Sequence, residues 1–319
     1  MKNQNGVALV LVLWVLSLLM IMAGSFALTM RRETTVAAVI KNNAEAKAVA
    51  ESGVAIAEKM LLNPDINKVW RADGSVYEIL ANRAKIRIRL EAETGKIDIN
   101  KADPLLLKKL MLNAPVEEEF QSKLVGAILD WRDADDLVNL NGAEKAEYQD
   151  AGLPYEPKNK PFESVEELQL ILGMDKTLFS WLEPLVTVNS GQPQVNLQLA
   201  TKEVLQTISG LDAEMIAAYI LAKVDSARNN LPAPPLPLAS GLQSAGSGKN
   251  NILTIISEAY LAGDSKASLH VVVKKPEGND ASSYQVLKWQ LASANNKSLF
   301  SDAMSELLVK QYAEPELNN

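Results

Sequence analysis

The sequence predicts an α+β protein in which a long N-terminal transmembrane helix packs on an antiparallel sheet that carries a large inserted all-helical domain. Three observations predict this fold. An uncharged apolar run of 24 residues, Val7–Met30, opens the chain of 319 residues. A helical repeat of apolar positions continues from that run to Pro64. Alternating, strand-like segments then precede and follow a stretch of helical patterns at 101–228.

The apolar run Val7–Met30 is long enough to cross a membrane. As a helix it spans about 36 Å, against a hydrocarbon core of about 30 Å. It exceeds the 7–15 apolar residues of a secretory signal, and no A-x-A-like cleavage site follows it, although an ordinary single-pass anchor remains an alternative. Pro64 ends the pattern, which predicts one helix of about 56 residues. Its second half repeats apolar residues at Val36, Val39, Ile40, Ala50, Val54, Ala57 and Leu61.

The leader MKNQNG ends in Gly6, and the helix runs without interruption through Arg31-Arg32-Glu33. In these features the chain resembles the type IV pilin-like superfamily, whose members share a pilin-like fold. The resemblance implies that a prepilin peptidase cleaves between Gly6 and Val7 and methylates Val7. It also implies an orientation with the bulk of the chain outside the cytoplasm, which the flanking charges alone do not impose.

Most pilins carry Glu as the fifth residue after the cleavage site, where this chain has Leu11. The family's glutamate is thought to pair with the amino terminus of the neighbouring subunit, because an unpaired carboxylate in a bilayer costs about 2.5–3.5 kcal/mol. A subunit with Leu11 has no such charge to neutralise. The resemblance therefore implies a place at the tip of a filament, with no subunit ahead of it.

Composition limits the chemistry of the chain. Its net charge of −7 and pI of about 5.1 argue against nucleic acid as the principal partner. It has no cysteine and a single histidine, His270, which excludes thiol nucleophiles and His-rich zinc sites. It contains no G-x-S-x-G, Walker or G-x-G-x-x-G sequence. We therefore expect no enzyme, while a membrane-anchored hydrolase that uses carboxylates alone stays open without a fold.

Beyond Pro64 the first elements are strand-like. Ser75–Ala84 is compatible with a short helix or a strand. Lys85–Glu91 alternates strictly and predicts a half-buried strand. Lys96–Asn100 alternates again after a turn at Thr94-Gly95, so this pair predicts a hairpin packed on the long helix.

The middle of the chain predicts helices. Pro104 opens the first helix after Asp103, since Pro is favoured in a first turn. Ser164 followed by Glu167 predicts a capping box at the start of another. The remaining helices are expected near Val116–Trp131, Lys176–Leu185, Lys202–Gln206 and Asp212–Lys223.

In their order, these segments resemble the K-type minor pseudopilins of type II secretion systems. The resemblance covers nearly the whole chain and rests on KIDINKADPLLLKKL, AILDWRDADD, NGAEKAEY, FESVEELQLILGMD and PQVNLQLATKEVLQTISGLD. It implies an inner-membrane, single-pass protein of a Gram-negative bacterium, largely periplasmic, that initiates the pseudopilus and caps its tip. The partners it implies are the I-type and J-type minor pseudopilins, other pseudopilins and the prepilin peptidase.

Two segments share a strand, a turn and an amphipathic helix, and ILGMD and ISGLD each place Gly between apolar residues as helix-hairpin-helix modules do. Such modules grip phosphate in DNA-binding proteins. The alternative function is therefore a minor pilin of a type IV pilus or DNA-uptake fibre that binds nucleic acid through these hairpins. Asp175 and Asp212 follow the two motifs directly, and their charge repels phosphate. We expect structural hairpins and no nucleic-acid partner.

Asp130–Glu147 gathers oxygen donors in a pattern close to a calcium loop. With Asp133 first, Glu144 falls twelfth, but Leu137 and Val138 occupy the fifth and sixth places, so it is not an EF-hand. Irregular oxygen ligands still suit Ca²⁺. The resemblance to K-type pseudopilins, some of which bind calcium in their helical domain, adds Ca²⁺ as a candidate cofactor. The alternative is a solvated acidic loop. The predicted ligands are Asp133, Asp135, Asp136, Asn141 and Glu144.

The C-terminal third predicts a proline- and glycine-rich surface linker at Asn229–Asn251. Three strands then complete the sheet, Ile252–Ala262, Ala267–Lys274 and Ser283–Leu291, with a turn at Pro276–Asn279. The predicted organisation is a leader at 1–6, a transmembrane half-helix at 7–30, a pilin-fold helix and first strands at 31–100, an inserted helical domain at 101–188, a second helical segment at 189–228, the linker at 229–251 and C-terminal strands at 252–319.

Overall fold

A computed structural model describes residues 5–65, 68–81, 84–237, 251–261, 265–276, 284–291 and 298–309. Its first element is helix α1, Asn5–Leu61, which has 57 residues and confirms the predicted single long helix. Within the described residues, this is the one helix that is long and apolar enough to cross a membrane by length and composition.

Helix α1 has two halves with different surroundings. The apolar side chains from Leu9 to Met30 are exposed, and no other part of the described chain covers them. Burial begins at Ala46 and repeats every three or four residues to Leu61, which gives one buried stripe. The apolar repeat predicted from Val36 to Leu61 is helical throughout, but only its part from Ala46 onward is buried. Val36, Val39 and Ile40 are exposed, because the sheet covers only the last four turns of the helix.

Small residues bring the end of α1 close to the sheet. Ala46, Ala50 and Ala57 are fully buried in the interface. At Gly53 the approach is closest, since an added Cβ would lie 2.2 Å from Ser257 Oγ and 2.8 Å from a methyl carbon of Ile86. The Ser257 hydroxyl also donates a 2.8 Å hydrogen bond to the carbonyl of Ala50, which fixes the helix against the strand.

The described residues contain eight strands in two sheets. The strands are β1 Asp73–Ala81, β2 Ala84–Ala92, β3 Ile97–Asp98, β4 Val186–Thr187, β5 Ile252–Leu261, β6 Lys266–Lys274, β7 Gln285–Leu291 and β8 Leu308–Val309. Six of them form the main sheet in the order β7-β6-β5-β2-β1-β8, antiparallel except for the β1–β8 pair.

The two faces of the main sheet differ in character, as the alternation in β2 predicts. Ile86, Ile88 and Leu90 are buried in the cluster that includes the end of α1. Arg89 and Glu91 point to the opposite face because side chains alternate along a strand. The helical part of the chain lies over that outer face.

The predicted hairpin of Lys96–Asn100 with β2 is wrong. Ile97–Asp98 instead forms a second, two-stranded parallel sheet with Val186–Thr187. A 3-10 turn at Glu93–Gly95 carries the chain away from the main sheet. The alternation at Ile97 and Ile99 arises because both side chains enter the core of the helical region.

The helical region has six α-helices, and they share one buried core with β3 and β4. Two predictions need correction. Ser164 begins a 3-10 helix at Val165–Leu170, not an α-helix, and its side chain makes no cap hydrogen bond. Glu167 accepts instead from the amide of Glu163. The α-helices are α2 Pro104–Met111, α3 Glu118–Arg132, α4 Lys145–Asp150, α5 Lys176–Leu182, α6 Lys202–Ile208 and α7 Ala213–Arg228, and a short α8 at Asp302–Ser305 precedes β8.

A buried ionic cluster joins the main sheet to the helical region. The Lys96 ammonium lies 3.0 Å from a carboxylate oxygen of Glu91 and 3.1 Å from one of Glu93. Burial would raise the pKa of Glu91, but Arg89 and Lys96 outweigh it and lower that pKa to about 2. Glu93 also accepts a 2.7 Å hydrogen bond from Thr254 on β5. Both sides of the junction therefore depend on charges that must stay paired.

The structure confirms the three predicted C-terminal strands as β5, β6 and β7. The segment Ser75–Ala84 is strand in its described part, since 75–81 belongs to β1 and Ala84 begins β2. The linker is irregular over 231–237. Its remainder at 238–250, and most of the predicted turn at Pro276–Asn279, lie outside the described residues.

Gly53→Val is expected to destabilise the packing of α1 on the sheet. The new side chain would overlap Ser257 and Ile86, and overpacking of this kind costs about 1–3 kcal/mol. Gly24→Val is the matched control, because a Cβ at Gly24 meets nothing within 4 Å. Thermal unfolding of the full chain in detergent, followed by circular dichroism, measures the difference. Equal midpoints for the two variants would contradict the packing described for Gly53.

His270→Gln is expected to reduce the acid sensitivity of the fold. Burial lowers the pKa of His270 to about 4; Glu91 opposes the shift, while Lys96, Arg89 and Lys288 add to it. Since the folded pKa lies below the ordinary 6.5, the fold binds this proton less well than the unfolded chain. His270 then contributes stability above about pH 6.5 that is lost as pH falls towards 4, by up to about 3 kcal/mol.

Parallel denaturant titrations of the wild type and the glutamine variant at pH 7 and pH 4.5 measure that difference. The wild type should lose more stability than the variant across this interval. If both chains lose the same amount, His270 does not titrate as its burial requires.

Candidate functional site

The exposed half of α1 holds the residues that the pilin resemblance singles out. Gly6 and Val7 lie in the first turns of α1. Leu11 is 60% exposed, and the large apolar residues from Leu9 to Met30 are exposed to a similar degree. No other element of the described chain covers this surface. It can be satisfied only by lipid or by apolar partner helices.

A second candidate site is the acidic loop, which we define as the segment between α3 and α4 together with Asp130. Arg132, the last residue of α3, holds the start of the loop by donating to the carbonyls of Ala102, at 2.7 Å, and Ile99. Glu144 holds the end of the loop as the first residue of a capping box with Glu147, whose carboxylate accepts a 2.8 Å hydrogen bond from the Glu144 amide.

Asp130 is fully buried beneath this loop. It lies on the apolar face of α3, beside Ala127, Ile128 and Trp131, which are buried in the helical core. One carboxylate oxygen accepts hydrogen bonds from the amide of Asn139, at 3.0 Å, and from its side chain, at 2.5 Å. The other oxygen, Oδ2, has no hydrogen-bond donor in the described part of the chain. A buried carboxylate left half satisfied is costly and calls for a ligand.

Three more side-chain oxygen atoms around the loop are buried without a hydrogen-bond donor within the described ranges. Asp133 Oδ1, Glu144 Oε1 and Asn159 Oδ1 are buried and receive no hydrogen bond from any described residue. Asn159 reaches the loop from outside it, because its side-chain amide donates to the carboxylate of Asp136 at 2.8 Å and to the carbonyl of Asp135 at 3.1 Å. The loop therefore presents several hard oxygen atoms that accept no hydrogen bond from the described residues.

The mutual repulsion of these carboxylates appears in their pKa values. Burial raises the pKa of Glu144 to about 7 together with the charges of the nearby aspartates, which are, in order of effect, Asp130, Asp133, Asp136 and Asp135. Burial also raises the pKa of Asp133, with Asp135 and Asp130 adding to the effect. Arg132 and Lys145 offset part of this charge through Asp133 and Asp136, but no described basic side chain forms a salt bridge with the loop carboxylates.

The predicted ligands fall into two groups. Asp133 and Glu144 carry unsatisfied buried oxygens. Asp135 uses one oxygen to accept from the amide of Leu137 at 2.9 Å, and Asp136 binds Asn159, so both are engaged within the loop. Asn141 occupies an exposed turn with a φ of +61°. All three retain oxygens for a ligand, and Asp135 and Asp136 lie near enough to Glu144 to raise its pKa.

Sequence reasoning missed Asp130 and Asn159 as candidates. Asp130 was detectable in principle, because it is an acidic residue on the buried face of an amphipathic helix. Asn159 offers no local pattern, since it comes 15 residues after Glu144. Its role depends on how the chain returns to the loop.

The donor chemistry of the loop fits a hard divalent cation, since Ca²⁺ is bound by carboxylate and amide oxygens. The arrangement is not preformed. No group of three or more His, Cys, Asp or Glu side chains in the described chain already stands where it could hold a metal ion. A cation at this loop would need the unsatisfied oxygens of Asp130, Asp133, Glu144 and Asn159 to turn towards it.

The hairpin motifs have a structural role. Gly173 and Gly210 take positive φ angles of +87° and +75°, which glycine allows. Asp175 and Asp212 then cap the next helices by accepting from the amides of Leu178 and Met215, each at 2.7 Å. The helix N-terminal amides that would grip a phosphate are thus occupied by carboxylates. This agrees with the expectation of structural hairpins.

Residues 89–191, about a third of the chain, match a family model described as type II secretion system (T2SS), protein K. Two relatives share the description type II secretion system protein K. The protein from Klebsiella pneumoniae is 27% identical over 61% of this chain and 66% of its own length, just under two thirds. The protein from Aeromonas hydrophila is 25% identical over 73% of this chain and 77% of its own length.

One solved structure resembles the chain over most of its length. It is a chain of the GspK-GspI-GspJ complex from the enterotoxigenic Escherichia coli type 2 secretion system. The TM-score is 0.49 and the sequence identity 17%, with 83% of this chain and 99% of that chain covered.

Proposed function

Because this chain belongs to the type II secretion system protein K family, we propose that it is a minor pseudopilin at the tip of a type II secretion pseudopilus. There it initiates assembly of the fibre and caps it, so that the fibre serves protein export across the outer membrane. The role is structural and not catalytic. The observation that carries the proposal is the exposed, uncharged first half of α1, with Leu11 at the fifth position after Gly6.

The membrane position follows from the same helix. A prepilin peptidase cleaves after Gly6 and methylates Val7, and the segment up to Met30 then spans the inner membrane once. The charges Arg31 and Arg32 mark the end of the span, and the rest of the chain lies in the periplasm. The length of the uncharged run supports this assignment, since about 20 apolar residues suffice to cross a bilayer.

The tip position follows from charge. A glutamate in the fifth place would need a cation within the bilayer, and the subunit ahead supplies it through its amino terminus. Leu11 removes that requirement, so this subunit is stable in the membrane with nothing ahead of it. Its own amino terminus remains free to pair with the glutamate of the next subunit. The chain is thereby suited to begin a fibre.

The proposed partners are the I-type and J-type minor pseudopilins, followed by the other pseudopilins of the shaft. Their helices pack along the exposed surface of α1, including Val36, Val39 and Ile40, which lie beyond the membrane span and are not covered by the sheet. The helical region lies over the opposite face of the sheet, so it leaves this surface accessible while adding bulk that hinders further stacking.

Leu11→Glu is expected to move the protein away from the fibre tip. An unpaired carboxylate in the bilayer costs about 2.5–3.5 kcal/mol, so tip occupancy should fall at least about tenfold. Immunogold labelling of sheared pseudopili counts tip and shaft positions, and secretion of a native substrate gives the functional readout. Leu11→Met is the apolar control and should behave as the wild type.

Intact-mass measurement of the purified variants shows whether both are still cleaved after Gly6, which separates a processing defect from an assembly defect. If Leu11→Glu is processed normally and caps fibres as often as Leu11→Met, the missing carboxylate does not determine tip position.

We further propose that the acidic loop binds Ca²⁺. The unsatisfied oxygens of Asp130, Asp133, Glu144 and Asn159 are the ligands that the structure favours. The other ligands predicted from the sequence, Asp135, Asp136 and Asn141, can complete a coordination of six to eight oxygens. A bound cation would neutralise the repulsion among the carboxylates and thereby order the connection between α3 and α4.

Asp133→Asn is expected to change the stability of the full chain in opposite directions with and without calcium. In a chelator the variant should be as stable as the wild type or more so, because one repelling charge is removed. In millimolar Ca²⁺ the wild type should rise in melting temperature and the variant should rise less, since binding stabilises by RT ln(1 + [L]/Kd).

Asp150→Asn is the matched control for this experiment, because Asp150 is an exposed aspartate at the end of α4, outside the loop. Its calcium response should equal that of the wild type. Differential scanning fluorimetry in detergent, with EDTA, Ca²⁺ and Mg²⁺ in parallel, gives the comparison. A wild type whose melting temperature is the same in EDTA and in Ca²⁺ would refute the calcium proposal.

A further inference from the structure

A large cleft lies between the outer face of the main sheet and the helical region. Its volume is about 890 Å³, within the range of ligand-binding sites, which commonly lie where two parts of a chain meet. Strands β2, β5, β6 and β7 form its floor. Its roof is formed by the 3-10 helices at Val165–Leu170 and Glu183–Leu185, before and after α5, together with residues of α6. The ion pair between Lys288 on β7 and Glu166 joins floor and roof at one side.

The register of the sheet places β7 at the rim of this cleft. Across the floor, Ile256 pairs with His270 and His270 with Gln290, and Thr254 pairs with Val272 and Val272 with Lys288. The rows of outward side chains thus run from the middle of the sheet to β7 and stop there. Among the described strands, none lies beyond β7.

The outer edge of β7 has the features of a surface that another strand covers. All seven residues of β7 are exposed, and four of them are large and apolar. An unpaired edge strand presents free backbone donors and acceptors, and proteins usually protect such edges with charges, prolines or covering segments. In β7 the only charged residue is Lys288, which is held by Glu166. The apolar residues are Val286, Leu287, Trp289 and Leu291.

The charge of the cleft favours a cationic occupant. Its lining includes six glutamates and three basic residues, Arg89, Lys96 and Lys288, which are engaged with Glu91, Glu93 and Glu166. Glu183 and Glu203 form no ion pair with any described residue. Burial raises the pKa of Glu183 and the charge of Glu166 adds to that effect, while Lys288 and Lys96 offset only part of it. A cation in the cleft would relieve this repulsion, whereas phosphate and acidic peptides would be repelled.

We propose that the cleft and the open edge of β7 together form a docking site for an extended, basic segment of another polypeptide. The segment adds as a strand beside β7, with backbone hydrogen bonds along an edge of about 23 Å. Its alternate side chains then point into the cleft, where Lys or Arg meets Glu183 and the acidic wall. This is the mode in which strand addition provides affinity and alternate side chains provide specificity. The site does not depend on where the chain lies in a fibre.

A fluorescent peptide of alternating Lys and Val, about as long as β7, is the probe. Binding to the full chain in detergent is followed by anisotropy. We expect saturable binding that weakens with salt, and none by a peptide of alternating Glu and Val. A Lys–Val peptide interrupted by proline should also fail to bind, because it cannot form a strand.

Strand addition is tested separately from charge by two N-methylated peptides, one methylated at the odd and one at the even positions. Only one edge of an added strand faces β7, so one peptide should bind as the parent does and the other should not. Equal binding by the two peptides would overturn the strand model.

Glu183→Gln should weaken binding of the basic peptide by about fivefold, as expected for the loss of one partly exposed charge partner. Glu214→Gln is the control, because Glu214 is exposed in the first turn of α7 and does not line the cleft. A wild type that does not bind the basic peptide, or a Glu183→Gln variant that binds it as tightly as Glu214→Gln, would refute the proposal. Dimerisation that depends on protein concentration, and that the acidic peptide but not the basic peptide inhibits, would also refute the proposal. The occupant of the edge of β7 would then be a second copy of this chain.

Discussion

The close packing of α1 on the main sheet is the contact on which the rest of the structure depends. Ala46, Ala50, Gly53 and Ala57 have small side chains, so the helix backbone comes close enough for Ser257 to bond the carbonyl of Ala50. This contact fixes one face of the sheet as the inner face. By alternation it also fixes which side chains form the outer face, where the helical region attaches. The remainder of α1 has no partner among the residues that the structure describes.

Much of this architecture could be predicted, because it rests on local periodicity. The uncharged run and the alternation in β2 and β6 each specify an element without reference to the rest of the fold. The pairing of Ile97–Asp98, which was wrongly predicted as a hairpin, could not be predicted from the sequence. Its alternation is real, but the partner strand, Val186–Thr187, lies about 90 residues away and belongs to another core. The length of α1 that is buried could not be predicted from the sequence either, because it depends on how far the sheet extends along the helix.

The acidic loop shows the same limit at the level of side chains. The spacing of acids predicted Asp133 and Glu144, which the structure places with unsatisfied oxygens. It also predicted Asn141, because the spacing of ligands was taken from a regular twelve-residue calcium loop. The backbone of this chain differs from that loop, so residues with the expected spacing do not all point to one site. Asp130 enters from the helix that precedes the loop, and Asn159 from the segment that follows α4.

The placement of the helical region reconciles a bulky subunit with a fibre built from packed helices. It attaches over the outer face of the sheet through the buried charges of Glu91, Glu93 and Lys96, on the side opposite α1. An insertion on the inner face would have displaced α1 and removed the surface that other helices need. On the outer face it adds bulk without touching that surface. The attachment combines these paired charges with apolar contacts, since Val224 and Ala227 of α7 are buried in the same cluster as the main sheet. Polar groups therefore line the cleft beside the junction, and a ligand that supplies matching charge can reach them.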